Sequence, residues 1–192
     1  MKKHVAAAVA VLAVAALAGS AFGATAGTNG TVKKKKPPTV AAQLAQVKTA
    51  LNKYQDVNVA KAAGYEPASP CEMTPASPGA SWWAGAMGVH FVNNGLMKPG
   101  VAFSPLRPQI LVYLPTAGGG FQLVAAEYFK PDADQNVQTD GDRPTLFGRA
   151  FDGPMLGHAP GMPIHYDLHV WLWKHNPSGL FAPYNPDASC TP

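Results

Sequence analysis

Charge is sparse in this chain: Asp, Glu, Lys and Arg make up 14% of its 192 residues, and only two cysteines are present. Two Cys without a Cys-x-x-Cys spacing argue against a redox centre and against a metal held by thiolates. The chain has no Gly-x-Ser-x-Gly elbow and no glycine loop leading into Lys-Ser/Thr, which removes the usual hydrolase nucleophile and the usual phosphate cradle. Interior carboxylates are few. Glu127 and Asp167 alone stand within strand-like apolar runs, so a glycosidase, which needs a suitably spaced pair, is a weak option.

A basic body is missing too. The formal net charge is +4, but Lys2, Lys3 and Lys33 to Lys36 all precede residue 39, after which nine Lys and Arg face eleven Asp and Glu. With no interleaved aromatic and basic patch in that part, nucleic acid is set aside as a partner. The one long apolar run, Val5 to Ala18, is too short and Ala-rich for a membrane span. Preceded by Lys2 and Lys3 and followed by Ala24-Thr25-Ala26, it reads instead as a secretory leader over residues 1–26, leading to a secreted or periplasmic product. In an oxidising compartment Cys71 and Cys190 then pair as one disulfide.

Proline and glycine, by contrast, are plentiful. After Ala26 they number 36 of 166 residues, nearly twice the usual share of about 12%. This argues against a helical bundle, and the spread of Leu, Val, Phe, Tyr and Trp argues against low-complexity disorder. The expected fold class is α+β: an N-terminal helix packed on a mostly antiparallel, loop-rich sheet or small barrel, one domain over 39–192. Residues 27–38 read as a basic tether ending in Pro-Pro. Its Lys33 to Lys36 run is either a solvated spacer or a weak contact for anionic envelope polymers.

Val40, Leu44, Val47, Leu51 and Tyr54 recur at helical spacing after the N-cap candidate Thr39, and Asp56 caps a shorter helix stopped by Gly64. Strands are predicted at 86–93, 109–115, 121–130 and 164–173. The middle two form a hairpin across Gly118 to Gly120. The Gly-, Pro- and Asp-rich stretch 131–163 reads as a long loop, either functional or partly disordered.

The chemistry concentrates in His165-Tyr-Asp-Leu-His-Val-Trp-Leu-Trp173. On a strand, alternation places His165, Asp167, His169, Trp171 and Trp173 on one face and plain core on the other. Two imidazoles and a carboxylate beside two indoles have no purpose in ordinary packing. Glu127, read as sharing a face with Phe121, Leu123, Ala125 and Phe129, and His90, within Gly-Val-His-Phe-Val, are similarly enclosed. Brought together, His90, Glu127, His165 and His169 form a set suited to a divalent transition metal such as Zn, Mn, Fe or Cu. Asp167 would support an imidazole or act as an alternative ligand. His158, between Met155 and Met162, is a further ligand or pocket candidate. Trp82, Trp83, Trp171 and Trp173 could wall a sugar or aromatic pocket. Three functions stay open: a metal-dependent enzyme, a metal-handling protein without turnover, and a non-catalytic envelope module binding a small organic or sugar ligand.

The string HYDLHVWLWKHNPSGLFAPYNPDASC, with Tyr54-Gln55-Asp56, Gly64-Tyr65, Met87 to Phe91 and Ala126-Glu127-Tyr128, resembles a family of exported bacterial proteins of unassigned function over most of residues 54–190. The resemblance implies export and carries no activity. His and Glu on strands are also similar to cupins by analogy, although the His-x-His and downstream Glu order of that family is absent.

Overall fold

A computed structural model of the chain describes residues 36–74 and 84–192. The expected leader, the tether up to residue 35, Trp82 and Trp83 lie outside the described residues. Helix α1 (Val40–Leu51) begins where the Thr39 hydroxyl accepts from the Ala42 N–H at 3.2 Å, and buries Val47 and Leu51. A 3-10 turn, Asn52–Gln55, buries Tyr54 and leads to α2 (Val57–Ala62), capped by Asp56, whose carboxylate accepts from the Asn58 N–H at 2.9 Å. Gly64, at φ +93°, takes the left-handed conformation that ends α2 and turns the chain into the sheet.

Among the described residues nine strands follow: β1 (Glu66–Pro67), β2 (Glu72–Thr74), β3 (Gly85–Val92), β4 (Ile110–Pro115), β5 (Phe121–Pro131), β6 (Thr145–Leu146), β7 (Arg149–Ala150), β8 (Asp152–Met155) and β9 (His165–Val170). Seven make one antiparallel sheet in the order β1-β3-β4-β5-β9-β8, with β2 also lying on β3, and β6 pairs with β7 separately. The α+β expectation is met, but the sheet is open; β8 and the β1/β2 edge do not pair, so the small-barrel alternative is corrected. The stretch 131–163 is more ordered than a loop. It holds β6, β7 and β8, and Asp142 anchors it by accepting from the Tyr166 hydroxyl at 3.0 Å, while its carbonyl accepts from Lys130 Nζ at 2.7 Å.

The two faces of the sheet are chemically different. One carries a large apolar cluster in which Val47, Leu51 and Tyr54 join Tyr65, Phe91, Leu111, Tyr113, Tyr128, Tyr166, Leu168 and Val170; the Tyr113 hydroxyl donates to the Tyr54 carbonyl at 2.6 Å. The other carries Ile110, Val112, Ala125, Phe129 and Trp171. Directly opposed residues of an antiparallel pair share a face. The pairs His90↔Val112, Ile110↔Glu127, Glu127↔His169 and Phe129↔Asp167 therefore put the polar residues on this second face.

Alternation fails at one point in β5. Val112 opposes Ala125 but Tyr113 opposes Leu123, so Val124 is an extra, bulged residue. Phe121 and Leu123 consequently lie on the large apolar face, not on the Glu127 face that uninterrupted alternation predicts. Cys71 and Cys190 are bonded, with Cα atoms 5.7 Å apart across a separation of 119 residues, which ties the C-terminal tail to the start of β2.

Candidate metal centre

β9 is buried along its whole length, with His165, Asp167 and His169 interleaved among Tyr166, Leu168 and Val170. Because Glu127 on β5 directly opposes His169, the two side chains project together, and Glu127 Oε2 lies 3.4 Å from His169 Nε2. His90 reaches the same oxygen from β3 on the far side of β4, with its Nε2 at 3.2 Å. His90, Glu127 and His169 are 8, 4 and 0% exposed, and their ligand atoms all lie within 4.8 Å of one another.

The hydrogen bonds around His90 assign its tautomer. Its Nδ1 lies 3.0 Å from the Ser69 hydroxyl oxygen, whose own hydrogen goes to the Pro70 carbonyl at 2.8 Å. Ser69 therefore accepts from Nδ1–H, which leaves Nε2 as the ring atom that faces Glu127; when the ring is neutral, that atom carries the lone pair a metal ion would take. Glu72 Oε1, 3.5 Å from the same Nδ1, adds a carboxylate behind the imidazole. An imidazole whose outer N–H is held by a carboxylate or hydroxyl is the usual support of a metal ligand.

The inner atoms are poorly matched as hydrogen-bonding groups. Glu127 Oε2, both ring nitrogens of His169, His165 Nε2 and Asp167 Oδ1 are buried and have no hydrogen-bond partner among the described residues. Leaving such a group unsatisfied costs about 1–3 kcal/mol. A single cation would serve Glu127 Oε2, His169 Nε2 and His90 Nε2 together. Four ligands at about 2.1 Å in a tetrahedron stand about 3.4 Å apart, which matches the 3.2 and 3.4 Å separations here.

Electrostatics follow from burial and this crowding. Burial holds His169 down to about 4, so its ring is neutral, and it lowers His165 as well. For His90, burial acts downward, but the charge of Glu127 outweighs it and the net direction is up. Burial opposes ionisation of Glu127, yet the positive charges that His169 and His90 carry in the acid range where it titrates hold its carboxyl below the ordinary carboxylate range. Asp167 is pushed well above its usual value by burial and by the negative charges of Glu127 and Asp152.

His165 stands apart from the three-residue group. Its Nδ1 donates to the Pro163 carbonyl at 3.0 Å, its ring stacks on Phe129, and its Nε2 is 4.0 Å from Asp167 Oδ2. Asp167 Oδ1 is 3.9 Å from His169 Nδ1, so Asp167 lies between the two imidazoles of its own strand. His158 is exposed, its ring centroid 5.4 Å from that of His165.

A cavity of about 1070 Å³ lies over the site; His90, Glu127, Asp167 and His158 line it, along with Met87, Met97, Met155, Met162, Ile110 and Phe129. Neither Trp171 nor Trp173 is among the lining residues. The Trp171 indole is buried, donating to the Ala182 carbonyl at 2.7 Å. β9 ends at Val170, so alternation no longer governs Trp173, which packs against the large apolar cluster and donates to Asn52 Oδ1 at 3.3 Å. Sequence reasoning missed Ser69 and Glu72, whose one available signal was that they flank the disulfide-forming Cys71. Compared with known protein families, curated proteins and solved structures, the chain matches none of them.

Proposed function

We propose that this chain is an exported metal-binding protein in which His90, Glu127 and His169 hold one divalent transition ion, with Ser69, Glu72 and Asp167 supporting the ligands. The observation that carries the reading is the meeting of two imidazole nitrogens on one buried carboxylate oxygen, at 3.2 and 3.4 Å, with no hydrogen bond to that oxygen among the described residues. A donor set of two nitrogens and one carboxylate suits Zn, Mn, Fe or Cu(II). Three protein ligands facing a cavity follow the pattern of metal sites that keep a position for an outside molecule, where the ion supplies Lewis acidity. That favours turnover or reversible capture of a small organic molecule over a closed structural site. The cavity wall is largely aliphatic and thioether, which supports an apolar ligand better than a sugar stacked on indoles. Export is supported by the leader-like segment and the disulfide. No helix among the described residues is long and apolar enough to cross a membrane.

Elemental analysis of protein recovered from periplasm or medium without chelator tests the reading. About one equivalent of a transition metal is expected, and metal-free protein that takes up none on titration overturns it.

A further inference from the structure

Four of the six methionines, Met87, Met97, Met155 and Met162, line the cavity over the metal centre. The carboxylate-containing trio beneath has no need of thioethers. Met155 directly opposes His165 in the β8–β9 pairing, so the two side chains share a face, with Cβ atoms about 4.5–5.5 Å apart by ordinary antiparallel geometry. His165 is fully buried, and its Nδ1–H is committed to the Pro163 carbonyl. The remaining lone pair, on Nε2, has no hydrogen-bond partner among the described residues. His158, on the β8–β9 connection, brings a second imidazole to within 5.4 Å, ring to ring, and Met162 follows four residues later at the cavity wall.

We propose that His165, His158 and Met155, with Met162 beside them, form a second metal site that takes copper(I). Thioethers select this soft, singly charged ion and imidazoles can complete its coordination, whereas the Glu127-centred trio, with a carboxylate and no thioether, suits a harder divalent one. The two sites therefore divide metals by softness. Exposure of His158 gives the ion a way in from solvent. The inference goes beyond the divalent site and stands on different residues.

The test uses the full exported chain, free of thiol reductant and loaded with one equivalent of Zn(II), titrated anaerobically with Cu(I) against bathocuproine disulfonate. One further equivalent is expected to bind with Zn(II) retained. Met155→Leu and His158→Ala should each weaken Cu(I) binding about tenfold or more, with Zn(II) affinity unchanged. Met73→Leu, at a position 56% exposed and outside the cavity lining, should change neither. His165→Gln should abolish the Cu(I) equivalent; because that residue is fully buried, the Met155 and His158 variants decide the matter if it fails to fold. Equal Cu(I) affinity in wild type, Met155→Leu and His158→Ala overturns the proposal, as does Cu(I) that binds only by displacing Zn(II). Protein that binds Zn(II) but no Cu(I) keeps the divalent reading and loses this one. Met155-dependent Cu(I) binding without Zn(II) binding does the reverse.

Discussion

Glu127 and His169 face each other across the β5–β9 ladder with Oε2 3.4 Å from Nε2, both buried and neither atom satisfied by a hydrogen bond among the described residues. In a closely packed interior such a pair is costly unless something joins it. The candidate site is built outward from this relationship, with His90 completing a triangle and Asp167 standing behind His169.

The disulfide should matter to both stability and the site. Closing a loop of 119 residues stabilises the fold by about 4–5 kcal/mol in the chain-entropy model, so Cys71→Ser with Cys190→Ser should lower the urea midpoint accordingly. Non-reduced, denatured wild type should show no free thiol. Two thiols per molecule would contradict the pairing.

Support of the imidazoles should be separable from ligation. Ser69→Ala removes the acceptor that holds His90 Nδ1–H, and Asp167→Asn alters the group beside His169, while both leave the three ligand atoms in place. Each should weaken Zn(II) binding by about 10–100-fold without abolishing it. Competition titration with a chromophoric chelator measures this. Unchanged affinity in both variants would mean that these contacts only fill space.

Acid should destabilise the metal-free protein through His169. Its folded pKa is held down to about 4 against 6.5 for the free side chain, so between those values the unfolded chain binds the extra proton. Stability from this residue is full above about pH 6.5 and is lost as pH falls toward 4, by up to about 3 kcal/mol. Asp167, displaced upward, acts with the opposite sign, which makes the comparison with His169→Gln the informative one. Urea unfolding at pH 7.5, 6 and 5 should show a steeper loss in wild type than in the variant. Parallel curves would contradict a neutral, buried His169.

Much of this arrangement is legible in the sequence because two simple periods govern it. The helical spacing from Val40 to Tyr54 locates α1 and the turn after it, and alternation along β9 separates His165, Asp167 and His169 from Tyr166, Leu168 and Val170. What alternation cannot reveal is where it stops. The bulge at Val124 moves Leu123 and Phe121 to the other face, and the end of β9 at Val170 sends Trp173 to the α1 side. Ser69, between β1 and β2, and Glu72, in β2, reach His90 because both of these strands pair with β3 beside the disulfide, a long-range contact with no local signature. His165 shares a strand face with His169, yet four residues along a strand span about 13 Å, enough to leave it beside Met155 instead of at the Glu127 carboxylate.

Zn(II) titration of metal-free wild type and Glu127→Gln, followed by elemental analysis after desalting, tests the central claim most directly. The substitution keeps the shape of the side chain and removes the charge and the anionic oxygen that both imidazoles face. Wild type should retain about one equivalent at micromolar ion, and Glu127→Gln, with an unchanged fold by circular dichroism, should retain essentially none. Equal occupancy and equal affinity in the two proteins would contradict the metal centre, leaving His90, Glu127 and His169 as a polar cluster of the core.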